Sequence, residues 1–321
     1  MISVFVSDRR TTQKVERIDP AWIAPDSGRY VWVNLQCPTD EEARVLSEVF
    51  RFHELAVEDA LSEIQTPKIE SYGDYLYLIL HGIDFSAAEH VFATHEIDIF
   101  LSANYLVTIH DEFSRSVAQV MEACPRNTFI LAEGPAALLH RIVDGMVDNY
   151  RPEVDKLDAR LDQIEHSVFE RPARDDVRNI LALKRDVASL RRVVTPQRDV
   201  MARLARREFP IISEQVAYRL RDVYDHLVRL VEEANIFHDR VTGLLDAHLS
   251  FTSNRLNRVM KTLTVISTIF LPLTVLTGMF GMNVTLPIFP GGEGLQFWWI
   301  AAIMVAIGGT MLWYFNRGDW R

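Results

Sequence analysis

The stretch Thr262 to Asn283, TLTVISTIFLPLTVLTGMFGMN, decides how the rest of the chain must be read. It carries no charge. At ~1.5 Å rise per residue a helix of this length crosses the ~30 Å hydrocarbon core of a bilayer. A second uncharged run, Phe297 to Phe315 (FWWIAAIMVAIGGTMLWYF), follows closely. Two spans therefore end a chain that is otherwise soluble in character. Arg255, Arg258 and Lys261 precede the first span and Arg317 and Arg321 follow the second, whereas the loop 284–296 has no Lys or Arg and only Glu293. By the positive-inside bias both termini face the cytoplasm, the loop faces out, and the protein is expected in the cell membrane, the inner membrane of a bacterium.

The 321 residues carry a net charge of −10 and are 48% hydrophobic, but the apolar excess lies after Thr262. The part before it must be acidic, which argues against nucleic acid as a partner and fits one that handles cations. Cys37 and Cys124 form no metal-ligand spacing or disulfide framework. The N-terminus shows no charged region leading into an apolar one, so no cleavable signal is expected.

Residues 1–112 read as a mixed α/β cytosolic domain. Val4–Val6, Tyr30–Leu35, Tyr75–His81, Glu96–Leu101 and Tyr105–His110 are rich in β-branched and aromatic residues. Ser102-Ala103-Asn104 looks like a hairpin connection. Thr39–Phe52 and His53–Glu63 read as helices, with Thr39 and Glu42 in capping-box spacing. Residues 113–261 read as helix only. Pro135–Val168 keeps a helical period with Pro152 as a local irregularity, and Asp175–Arg207 repeats it. From Ser213, a candidate N-cap, the pattern runs straight into the first span. Unbroken to Met282 it is a stalk of 70 residues, roughly 105 Å. The alternative is two helices with a loop near Gly243 or Ser250–Ser253. The expected architecture is thus an α+β cytosolic domain, a long stalk helix and two C-terminal transmembrane helices (262–283 and 297–315) with a short tail, mostly α overall.

At ~100° per residue, Asn257, Met260, Leu263, Ser267, Leu271, Thr274 and Gly278 fall within about 120° of arc. Polar groups in hydrocarbon are costly and commonly face a bundle interior or a water-filled path. The plainer alternative is that the hydroxyls bond their own backbone carbonyls while the small residues only aid packing. With Asn257 on the stripe and Gly281-Met282-Asn283 at its end, the path is favoured. One hairpin cannot enclose a hole, so several copies must surround an axis. Met260, Leu263 and Leu271 would then form apolar constrictions that close by dewetting. A ring of Asn283 amide oxygens could hold the water shell of a hydrated Mg²⁺ without stripping it. Moving two charges inward through ~100 mV supplies ~4.6 kcal/mol.

Phe280-Gly281-Met282-Asn283 after a span containing Pro272, with a second span beyond, resembles the CorA family of divalent-cation channels. His53-Glu54-Leu55-Ala56-Val57-Glu58-Asp59-Ala60-Leu61, then Pro67-Lys68-Ile69-Glu70 and Tyr72-Gly73-Asp74-Tyr75-Leu76, is similar to the family's cytosolic motif. Arg221-Asp222-Val223-Tyr224-Asp225-His226 and Gly243-Leu244-Leu245-Asp246 are similar to its stalk. The resemblance implies a homopentamer that imports Mg²⁺, also Co²⁺ and Ni²⁺. Gly281, Met282 and Asn283 would be its selectivity ring, and the stripe would be its pore lining. It also implies regulatory Mg²⁺ between subunits, held by Glu58 and Asp59 of one and Asp222 and His226 of the next. Asp246 would draw cations to the cytosolic pore mouth. Phe280 replaces the family's usual tyrosine, and the tail (Arg317, Asp319, Arg321) lacks a lysine cluster. These departures, with Val284, resemble the ZntB zinc-transport branch, whereas Met282 favours Mg²⁺. Outside transport, a membrane-anchored sensor or scaffold without a conduit is the other class. No His-Glu-x-x-His, nucleophile elbow or phosphate loop occurs, so no enzymatic activity is expected.

Overall fold

The computed structural model describes residues 1–62, 65–83, 94–111, 113–127, 129–170, 175–282 and 293–317. They form two compact units, Met1–Leu244 and Leu245–Arg321. The strands are β1 (Ile2–Ser7), β2 (Thr12–Val15), β3 (Tyr30–Gln36), β4 (Lys68–Ser71), β5 (Tyr75–Ile83), β6 (Thr94–Ser102) and β7 (Tyr105–His110). The helices are α1 (Asp40–Glu48), α2 (Glu54–Leu61), α3 (Arg115–Ala123), α4 (Phe129–Ala132), α5 (Pro135–Asp148), α6 (Tyr150–Glu170), α7 (Asp176–Ala205), α8 (Glu214–Phe280) and α9 (Glu293–Arg317).

The seven strands make one sheet in the order β2-β1-β3-β7-β6-β5-β4. Only the β3–β7 pair is parallel, with Val33 opposite Val107. The apolar runs of β5, β6 and β7 are nearly continuous because both faces of the sheet are covered, the pattern expected of a doubly buried strand. One face presents Val33, Tyr77, Ile79, Phe100 and Val107 to Leu46, Phe50, Phe52, Ala56 and Ala60. Trp32, Leu78, Leu80, Ile97 and Leu106, also buried, alternate with these residues and point to the other face.

All five strands expected from composition are present, and 102–104 is the hairpin connection between β6 and β7. The capping box at α1 is complete: Thr39 Oγ1 accepts from Glu42 N, and Glu42 accepts from Thr39 N. Two strands escaped the reading. β2 (TQKV) and β4 (KIES) lie at the sheet edges, are short and polar, and carry no alternation to detect. The expected helix Thr39–Phe52 ends earlier, at Glu48, and Arg51 takes a φ of 54°. That left-handed turn lets Phe50 and Phe52 both enter the core, stacked at 5.2 Å between centroids.

The long helical expectation Pro135–Val168 divides at Asn149, between α5 and α6. Pro152 falls in the first turn of α6, where a missing N–H costs nothing. Helix α8 is unbroken from Glu214 to Phe280, so neither alternative loop exists. Ser213 Oγ accepts from Val216 N at 3.4 Å, the cap expected there. Within the first unit α6, α7 and the N-terminal part of α8 bury Leu157 and Leu161, Leu183 and Leu190, and Leu220 and Leu227. Arg240 of α8 binds Asp158, Asp162 and Glu165 of α6 at 3.0, 2.7 and 2.7 Å.

One buried acidic pair has a measurable consequence. Tyr77 Oη donates to Asp98 Oδ1 at 2.6 Å, and Gln65 N donates to Glu96 Oε2 at 2.5 Å. Burial drives the Asp98 carboxyl well above its ordinary range, and Glu96 beside it is raised for the same first reason. A raised folded pKa means the folded state holds the proton longer. The associated stability is complete below the unfolded value near pH 4 and is lost as pH rises towards the folded value. Asp98→Asn is therefore expected to flatten this decline. Thermal unfolding of the full chain in detergent from pH 4 to 8 checks it, and an unchanged slope contradicts it.

Candidate ion path and regulatory acids

Within the second unit, α8 from Leu245 and α9 are the two apolar helices. From Lys261 onward the half-buried positions on α8 are Lys261, Val265, Ile269, Pro272, Leu273, Leu276 and Phe280. On α9 they are Gln296, Ile300, Ala301, Ile303, Met304, Ile307, Gly308, Met311 and Phe315. Both sets recur at three or four residues, so each helix half-buries one stripe along its length.

The stripe Asn257, Met260, Leu263, Ser267, Leu271, Thr274 and Gly278 is exposed along its whole length, with Leu271 at 69% of its free surface. At ~100° per residue its centre lies roughly 160° from the centre of the half-buried face. The polar stripe thus lies on the side of α8 opposite its half-buried face. Thr274 Oγ1 donates to Phe270 O at 2.9 Å, and Thr277 Oγ1 to Thr274 O at 3.0 Å. Those hydroxyls are satisfied within the helix, as the plainer reading required. Their oxygen lone pairs stay available to water.

The helix closes at Phe280. Gly281 N donates to Thr277 O at 2.9 Å and Met282 N to Met279 O at 3.4 Å. A Cβ on Gly281 would stand 3.1 Å from Thr277 O, so this turn favours glycine on local grounds. At Gly278 a Cβ would meet nothing within 4 Å, so no contact within the described chain demands glycine there. Met282 is exposed, and Asn283 lies outside the described residues. Asp246 is exposed and falls on the stripe's side of the same wheel.

The regulatory candidates sit in the first unit. Asp59 on α2 is half-buried and its carboxylate meets Lys68 Nζ at 2.5 Å; Lys68 also reaches Glu70 at 3.0 Å. The Lys68 hydrogen bond holds the Asp59 pKa below its ordinary value. Glu58 is exposed. On α8, Asp222 is exposed and its Oδ2 lies 3.9 Å from His226 Nε2. Among the described residues no group of three or more His, Cys, Asp or Glu has the arrangement to hold a metal ion. One chain by itself does not assemble the expected site.

Asp144 was missed in the sequence. It lies between His140 and Asp148 on α5, one turn from each, and the field of Asp222 and His226 reaches it. Burial is the main reason its carboxyl is raised. His140 and Asp144 line a cleft of about 480 Å³ with Arg141 and Arg219. The four-residue spacing His140-Asp144-Asp148, parallel to Asp222-His226, was the available signal. It was obscured because α5 reads mainly as a core helix.

A family description, the CorA-like Mg²⁺ transporter protein, matches residues 27–317. The chain belongs to this family. The cobalt/magnesium transport protein CorA of Thermotoga maritima is 33% identical over 302 residues, 92% of this chain and 84% of that protein. The zinc transport protein ZntB of Yersinia pestis is 25% identical over 295 residues, 90% of this chain and 87% of that protein. The complete structure of the CorA magnesium transporter from Methanocaldococcus jannaschii shares the fold with a TM-score of 0.83 at 24% identity, covering 100% of this chain and 99% of that one. The expected architecture of an α/β domain, a long helix and C-terminal apolar helices is therefore the CorA architecture. This CorA-family chain is a metal-ion transporter with two helices long and apolar enough to span a membrane.

Proposed function

We propose that this chain forms a homopentameric channel that imports hydrated Mg²⁺, and also Co²⁺ and Ni²⁺, down the membrane potential. The carrying observation is the direction of the polar stripe. The half-buried face of α8 lies on the other side of the helix, so the exposed stripe is the surface available to line an axis shared by several copies. Gly281, Met282 and Asn283 of each copy form the outer ring that holds the ion's water shell. Met260, Leu263 and Leu271 form dewetting constrictions, and Asp246 concentrates cations at the cytosolic mouth. Both termini are cytoplasmic, and the bilayer is the second partner.

Cytosolic Mg²⁺ closes the path by binding between subunits. Glu58 and Asp59 of one copy meet Asp222 and His226 of the next, with Asp144 adding a raised carboxyl beside Asp222. Asp59 must exchange Lys68 for the ion. The clamp predicts that Mg²⁺ slows proteolysis of the first unit severalfold relative to EDTA, and that Asp222→Ala removes the protection. Equal cleavage of the unaltered protein in both conditions contradicts it.

Transport of Zn²⁺ is the second reading. The likeness to a zinc transport protein and the Phe280 at the filter favour it. Radiotracer uptake into proteoliposomes separates the two. Mg²⁺ entry driven by potential alone, indifferent to a proton gradient, is expected. Zn²⁺ entry that needs the gradient, without Mg²⁺ entry, overturns the Mg²⁺ reading. Absence of uptake for every ion by a correctly inserted oligomer would favour a sensor or scaffold.

A further inference from the structure

From residue 247 to the C-terminus the sequence holds only two acids, Glu293 and Asp319. The same segment holds Arg255, Arg258, Lys261, Arg317 and Arg321. Arg255, Arg258 and Lys261 precede the apolar part of α8, and Arg317 ends α9, so along the chain all four flank the two apolar runs on the side away from the loop 284–296. Their side is as telling as their number. At ~100° per residue Arg255, Arg258 and Lys261 occupy roughly the same arc as Val265, Ile269 and Leu276, the half-buried face of the helix. They lie off the arc of Asn257, Ser267 and Thr274. Residues that served the ion path would share the polar stripe; these are turned from it.

Beside Arg317 stand Trp313 and Tyr314, 60% and 66% exposed. The Arg317 guanidinium lies 5.0 Å from the centre of the Trp313 ring. Exposed Trp and Tyr at the end of an apolar helix mark headgroup depth. Among the described residues no ion pair engages Arg255 or Arg258, and the sequence has no acid between Asp246 and Glu293.

We propose that Arg255, Arg258, Lys261 and Arg317 form a docking site for the phosphates of anionic phospholipids at this end of the hairpin. The apolar outer surface takes the acyl chains, including exposed Val305 and Leu312 of α9, and the bases take the headgroup charge. The proposal rests on the two apolar helices lying in a bilayer, and on nothing about which ion is carried.

The test uses the purified full-length protein in neutral detergent. Phosphatidylglycerol is expected to raise the unfolding temperature by several degrees more than phosphatidylcholine, and the variant R255Q/R258Q/R317Q is expected to lose that difference while keeping the response to phosphatidylcholine. Equal responses to the two lipids, or a variant that keeps the difference, overturns the site. So does inorganic phosphate reproducing the effect, which would make the bases a site for free phosphate. If the variant fails to assemble, the lipid retained by the unaltered protein after purification decides. At least threefold enrichment of anionic lipid over its bulk share supports the site, and no enrichment overturns it. Flotation with liposomes independently tests the bilayer location.

Discussion

Asn283→Ala is expected to lower Mg²⁺ flux at least ~100-fold in proteoliposomes while leaving the oligomer intact. In the proposed filter the amide oxygen at this position is the neutral acceptor for the ion's water shell, and alanine offers no replacement. A neutral hydrogen bond contributes about 0.5–1.5 kcal/mol net. Several copies act on one ion, so a loss of about 3 kcal/mol follows, and about 1.4 kcal/mol is tenfold in rate. The substitution is small and changes no charge, so size-exclusion behaviour should not change. Flux within a factor of two of the unaltered protein would remove Asn283 from the filter. Asn283→Asp separates amide from charge: it retains the acceptor oxygens, binds the ion more tightly, and is expected to slow passage with a lower half-saturating concentration.

Phe52→Ala should be among the most destabilising single changes in the first unit. Phe52 is 5% exposed and stacks on Phe100 at 4.0 Å between centroids, 9° from parallel. Phe50 lies at 5.2 Å and Tyr75 at 4.8 Å, so the ring joins the segment before α2 to two strands. Removing a buried Phe costs about 3–5 kcal/mol, a large part of the ~5–15 kcal/mol that holds a domain folded. In a unit of this size each kcal/mol moves the midpoint by about 2–4 °C, so a fall of roughly 10 °C is expected. Phe129→Ala, at a ring 69% exposed, is the control and should change it by no more than about 2 °C. Similar shifts for the two variants would contradict the assigned core.

These two residues show what could be read from sequence and what could not. The two apolar helices and the long helix that leads into the first were legible because each is local: an uncharged run, an unbroken helical period. Phe52 was read as the last residue of a helix. The turn that inserts it depends on Arg51 adopting a left-handed φ, and no periodicity reports that. β2 and β4 depend on pairing with strands already in the sheet, and their own sequences are too short and polar to declare it. Asp144 gains its raised carboxyl from burial and from Asp222 on a helix far along the chain. The Lys68 cap on Asp59 pairs residues on α2 and β4 whose juxtaposition is tertiary. The polar stripe itself was legible, but which face of α8 is half-buried was not.

The central claim is that the stripe of α8 faces an axis shared by several copies. Disulfide cross-linking in membranes tests it most directly, with Cys37 changed to serine because it is the exposed native thiol. Ser267→Cys, on the stripe, should give a covalent dimer, because one thiol per copy forms one disulfide, whereas Leu273→Cys, half-buried on the opposite face, should stay monomeric. Cross-links from Leu273→Cys with none from Ser267→Cys, or a protein that remains monomeric with both, would contradict the account.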